Sequence, residues 1–156
     1  MKKYLFTLVI LFGLLNFTYS QDYRTAVGLR LGYPGAISYK TFVSESSAFE
    51  GYAGFRGYDG FSNVLVVGLL YQKHNDINLD GVSGLKWYYG AGGNISLTSG
   101  GSGIGISGVL GLDYSFDDIP LNLSLDWIPT VILAGRSYSG FTPSFGAFTA
   151  RYILTR

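Results

Sequence analysis

The chain of 156 residues contains no cysteine, one histidine and few charges. Without cysteine there is no disulfide framework, no thiolate metal site and no lipid-anchored N-terminus. One histidine without cysteine does not supply the usual zinc ligand sets. Charged residues make up 13%, about half the usual share, and the formal net charge is +1. That balance argues against nucleic acid as a partner. No stretch after the first twenty residues reaches 18 apolar residues, so no further transmembrane helix is expected.

Glycine and aromatic residues are abundant instead. The 23 glycines exceed what a helix-rich domain tolerates, and 13 tyrosines and 11 phenylalanines favour strands. With 47% apolar residues the chain is no disordered polypeptide, and its length fits one domain.

Residues 1–20 read as a secretory signal peptide. Lys2 and Lys3 form a basic start, Tyr4 to Leu15 an almost unbroken apolar run, and Thr18-Tyr19-Ser20 a small-x-small end before Gln21. The apolar run is short for the ~20 residues that span a bilayer. Without Lys2 and Lys3 the eleven basic residues become nine against ten acidic ones, a charge of −1 for residues 21–156.

That remaining chain alternates with period two. Tyr23, Thr25, Val27, Leu29, Leu31 and Tyr33 alternate with Arg24, Ala26, Gly28, Arg30 and Gly32. The same pattern sets Ile37, Tyr39 and Val43 against Ser38 and Lys40, and Phe49, Ala53 and Phe55 against Glu50, Tyr52 and Arg56. It sets Trp87, Tyr89 and Ile95 against Lys86 and Asn94, Ile106, Leu110 and Leu112 against Ser107 and Asp113, Leu123, Leu125 and Trp127 against Ser124 and Asp126, and Phe148, Ala150, Tyr152 and Leu154 against Thr149 and Arg151. Between Phe61 and Gln72 both faces are apolar. Turns are expected at Pro34-Gly35, Ser44 to Ser47, Asp59-Gly60, Ser99 to Ser102, Asp117 to Pro120 and Gly135 to Gly140. Lys73 to Gly84 reads as the longest polar connection, and Pro129 as a strand end or bulge. Eight segments result, the smallest number that closes a membrane barrel. The expected fold is an all-β, closed, antiparallel up-and-down transmembrane barrel behind a cleaved signal peptide.

A soluble barrel turns its apolar face inward, and a membrane barrel turns it outward. Here the face opposite the apolar one carries Arg30, Lys40, Glu50, Arg56, Lys86, Asp113, Asp126 and Arg151 among many Gly and Ser. A narrow barrel interior needs small residues between large ones. Aromatics at Tyr23, Tyr33, Phe49, Phe61, Tyr71, Trp87, Tyr114, Phe116 and Trp127 lie near segment ends, as in interfacial girdles. The eight inward charges are expected to pair and plug the barrel, because an unpartnered buried charge is very costly. His74 lies in the polar connection beside Asn75 and Asp76 and reads as solvated. Gly90 to Gly93 and Gly100 to Gly103 open no helix, so they bind no phosphate by that route. No catalytic, cofactor-binding or metal-binding residue is assigned.

Ala48-Phe49-Glu50-Gly51, Gly54-Phe55-Arg56, Trp87 to Gly93 and Ile119 to Trp127 resemble the small outer-membrane β-barrel proteins of Bacteroidetes-type bacteria. The resemblance covers nearly all of residues 23–154. It implies eight strands, periplasmic termini and no catalytic residues. One departure is the end Tyr152-Ile153-Leu154-Thr155-Arg156, where such barrels close on an aromatic residue. The expected function is non-enzymatic: a structural or accessory, porin-like barrel of a Gram-negative outer membrane, as a subunit of a larger envelope complex. Its partners would be outer-membrane lipid, the barrel-insertion machinery and another outer-membrane protein, which outward Gly51, Ala53 and Gly108 would let approach. The alternatives are a barrel that binds or transports a small apolar ligand, and a soluble secreted lipocalin-like carrier. No cofactor is expected.

Overall fold

The computed structural model describes residues 23–58, 62–79, 82–135, 140–143 and 145–156. The signal peptide and the Asp59-Gly60 turn expected from the sequence lie outside the described residues, as does most of Gly135 to Gly140. The described chain is all strand and turn: β1 (Thr25–Tyr33), β2 (Gly35–Phe42), β3 (Ser47–Tyr58), β4 (Ser62–Asp76), β5 (Leu85–Thr98), β6 (Gly101–Ser115), β7 (Leu121–Trp127), β8 (Thr130–Gly135), β9 (Gly140–Thr142) and β10 (Gly146–Thr155).

Ten segments make eight staves. β7 and β8 both pair with β6 and form one stave, interrupted at Ile128-Pro129. Proline has no N–H to give the ladder, so the pairing breaks there. The carbonyl of Pro129 still accepts from the Gly108 amide at 2.9 Å, and Ile128 N–H donates to the Phe145 carbonyl at 2.7 Å. β9 and β10 form the last stave, β9 on β8 and β10 on β7. β1 pairs antiparallel with β10 along its whole length, and β5 with β6, so the sheet closes into an eight-stranded up-and-down antiparallel barrel.

Both described chain ends lie at one end of the barrel, with the connections 43–46, 77–84 and 116–120. Arg24 N–H donates to the Thr155 carbonyl, and the Arg156 guanidinium donates to the carbonyls of Phe116, Asp117 and Ile119 at 2.7–3.0 Å. The turns at Pro34 and Ser99-Gly100 lie at the opposite end.

The structure corrects three readings of the sequence. β4 runs on to Asp76, so Lys73 to Asp76 are strand and the connection is 77–84. The register shifts between Thr25 and Ala26, which turns Tyr23 inward, 2% exposed, rather than into an outer girdle. Tyr33 leans over the barrel's mouth and packs on Phe145, 5.5 Å between ring centroids, instead of facing out.

Glycine lets large inward side chains fit a narrow barrel. Tyr52 lies across the ladder from Gly68, and Tyr88 from Gly111. A Cβ on Gly68 would stand 2.3 Å from the Tyr52 ring, and one on Gly111 2.6 Å from the Tyr88 ring. Both rings are buried and cannot swing away. Gly68→Ala is therefore expected to destabilise the barrel by about 1–3 kcal/mol, the usual cost of overpacking. Gly51→Ala, whose added methyl meets nothing, is expected to change little. Denaturant midpoints of the two variants in one detergent check the contrast. Equal midpoints would show that the Tyr52 ring yields.

Candidate functional site: the sealed polar interior

Along each strand, alternate side chains point to opposite faces. In this barrel the polar set is the inner one. Arg30, Lys40, Glu50, Asp113, Asp126 and Arg151 are all buried, while Leu29, Leu31, Ile37, Tyr39, Phe55, Ile106 and Leu125 on the same strands are exposed.

Six charges meet in the middle of the barrel. The Glu50 carboxylate is the hub. Its Oε1 accepts from Arg30 Nη1 at 2.7 Å, Arg151 Nη2 at 2.6 Å and the Ser38 hydroxyl at 2.7 Å, and its Oε2 accepts from Gln72 Nε2 at 2.7 Å. Arg30 also forks onto Asp126, with contacts of 2.7 and 3.1 Å, and Tyr88 donates its hydroxyl to the same carboxylate at 2.9 Å. Arg151 donates Nε to Ser38 and Nη1 to Asn122 and Ser124. Lys40 pairs with Asp113 at 2.9 Å, and Asn122 donates to the other Asp113 oxygen at 2.7 Å. Three buried cations thus meet three buried carboxylates. Ionised partners make these hydrogen bonds shorter and stronger than neutral ones.

His74 belongs to this interior and not to a solvated loop. It is 3% exposed, stacks on Tyr88 with 4.9 Å between centroids, and lies 3.2 Å from Lys40 Nζ through Nε2. An ammonium can only donate, so Nε2 is the acceptor. Lys40 also sits 4.4 Å from the centre of the Tyr88 ring.

Two of the eight expected charges stand apart. Lys86 reaches the barrel's end and pairs with the exposed Asp76 at 3.4 Å, away from the hub. The Arg56 side chain lies outside the described residues.

Apolar layers close the polar core on both sides. On β2 the inward order is Phe42, Lys40, Ser38, Ala36, and on β10 it is Ile153, Arg151, Thr149, Ala147. Phe42 and Ile153 pack with Tyr23, Ala26 and Ala48 at the end that holds the chain termini. Ala36 packs with Tyr52, Val66, Leu70, Val109, Ile128 and Phe145 on the far side. Tyr23 links the first layer to the network through a long hydroxyl contact to Asp113, 3.4 Å.

The chemistry of this arrangement is neutralisation. Glu50, Asp113 and Asp126 each face a cation and further donors, so none stands with an open face for acid–base work. Among the described residues no three His, Asp or Glu side chains gather to hold a metal ion.

Compared with protein-family models, curated proteins and solved structures, the chain matches none.

Proposed function

We propose that this chain is an integral outer-membrane β-barrel of the Bacteroidetes-type group, non-enzymatic and sealed, with a structural or accessory role in the envelope. The observation that carries the reading is the inversion of the barrel: its wall is apolar and its centre is charged. Soluble monomers seldom expose contiguous apolar patches beyond a few hundred Å². Leu29, Leu31 and Ile37 on β1 and β2, Leu69 on β4 and Ile106 and Leu110 on β6 extend this surface around the wall. A bilayer is the solvent in which such a wall is stable and a closed barrel is the sheet it admits. A lipocalin-like carrier needs the reverse arrangement. A ligand carried through the centre would have to displace Arg30, Glu50 and Arg151 from their partners.

The seal also favours a scaffold over a conduit. An eight-stranded barrel has room for side chains and little else. The role proposed is that of a subunit beside another outer-membrane protein, with lipid around the rest of the wall and delivery by the barrel-insertion machinery.

Cell fractionation with carbonate extraction tests the location: the protein is expected in the membrane pellet, and recovery in the soluble periplasmic fraction removes the reading. Orientation is tested separately. With the termini in the periplasm, Gly100→Cys in the β5–β6 turn reacts with an impermeant maleimide on intact cells, and Asn78→Cys in the 77–84 connection reacts only after lysis. The opposite labelling inverts the barrel.

A further inference from the structure

The outer wall is dented over β3 to β6. Its outward positions there fall to Gly51 and Ala53 on β3, Ala91 and Gly93 on β5 and Gly108 on β6. The register sets Gly93 between Leu69 and Ile106, and Ala91 between Tyr71 and Gly108. The result is an apolar groove of about 510 Å³, floored by Ala91 and Gly93 and walled by Phe49, Leu69, Tyr71 and Ile104.

Toward the chain termini the groove runs into four rings. Phe49 and Tyr71 lie 5.4 Å apart, and Trp87 stacks on Tyr89 at 5.5 Å. Past Tyr71 on the same face of β4 comes Lys73, about 7 Å further along the strand. It pairs in register with Tyr89. Its ammonium donates to the Ser46 hydroxyl at 2.6 Å. Among the described residues no carboxylate lies within ion-pair distance of it, whereas Arg30, Lys40, Lys86 and Arg151 each have one. Asn75, the next position on that face, holds a buried amide Nδ2 without a hydrogen-bond partner among the described residues.

Resting on the membrane reading above, we propose that this groove seats one glycerophospholipid of the leaflet on the termini side, with an acyl chain in the dent and its phosphate on Lys73. The order of chemistry along the wall matches such a molecule: hydrocarbon groove, interfacial aromatic rings, then a cation with no counter-charge among the described residues. Aromatic rings sit at headgroup level in membrane barrels. A basic residue there attracts an anionic headgroup. Phosphatidylglycerol is preferred over phosphatidylcholine, because choline carries its own cation beside the phosphate.

Brominated lipids test this through Trp87, in a Trp127→Phe background that leaves it the only tryptophan. The full chain is refolded into phosphatidylcholine vesicles and titrated with lipid brominated on the acyl chain. Brominated phosphatidylglycerol is expected to quench Trp87 at about fivefold lower mole fraction than brominated phosphatidylcholine, the factor one lysine near an anionic surface contributes. Lys73→Gln is expected to abolish the preference, and Ala91→Leu to weaken quenching by both lipids by filling the groove. Circular dichroism and vesicle flotation report whether each variant folds and inserts. Equal quenching by the two lipids, or a preference that survives Lys73→Gln, overturns the proposal while leaving the membrane reading intact. Shielding of Trp87 from both lipids with a cross-linked dimer assigns the groove to a second copy and also overturns it. A chain that folds but does not float with vesicles removes the membrane reading itself.

Discussion

Glu50→Gln is expected to lower the unfolding free energy of the refolded barrel by about 3–5 kcal/mol, the range for breaking a buried ion pair from one side. The substitution keeps the volume, so no cavity contributes. What it removes is the negative charge that Arg30 and Arg151 share, 2.7 and 2.6 Å from one oxygen. Arg30 keeps Asp126. Arg151 is left with Ser38, Asn122 and Ser124, all neutral, in a site that excludes water. The Gln amide adds a donor to a site into which four donors already point. Replacing both members, as in Glu50→Gln with Arg151→Met, removes the stranded charge and is expected to cost less than the two single changes added together. A double-mutant cycle of urea midpoints in detergent measures that coupling. Arg156→Ala supplies the comparison. Arg156 is exposed and holds only turn carbonyls, so its loss is expected to stay within about 0.5 kcal/mol. If Glu50→Gln moves the midpoint no further than Arg156→Ala, the hub is solvated and the plugged interior is wrong.

The inner face was legible in the sequence because the barrel's two faces differ in kind. Lys40 between Tyr39 and Thr41, or Asp126 between Leu125 and Trp127, breaks an apolar rhythm at every second residue. The partners were not legible. Arg30 meets Asp126 96 residues away, and Arg151 meets Glu50 101 residues away, only because closing the barrel brings β1 and β10 together. His74 was hidden for a related reason. In a barrel with a polar centre, an inward polar residue at a strand end looks like the loop that follows it, so Lys73 to Asp76 carried no contrast. Tyr23 was misplaced by a register shift of the ladder, which alternation alone does not reveal. The apolar stretch on both faces of β4 has its reason in the layers: Val66 and Leu70 belong to the apolar layer above the charges, while Val67, Leu69 and Tyr71 belong to the wall.

The wall itself distinguishes lipid from water by the sign of one substitution. Leu29 lies at the middle of β1, paired with Ile37 and Ala150 on its neighbours and 60% exposed. In a bilayer, Leu29→Arg puts a guanidinium near the midplane, where basic residues on the lipid face of a barrel cost about 2–4 kcal/mol. In water the same change removes apolar surface from solvent and is expected to be neutral or to improve solubility. Val43→Arg, two residues beyond Thr41 at the edge near the chain termini, is expected to cost only about 0–1 kcal/mol if that edge lies at the interface. Equilibrium unfolding from vesicles therefore separates the cases by a depth profile as well as by size. A large loss at residue 29 with a small one at residue 43 fits a wall immersed in hydrocarbon. Two equal, negligible changes in a chain that stays folded without lipid would falsify the membrane reading, and would leave the charged plug as the core of a soluble barrel.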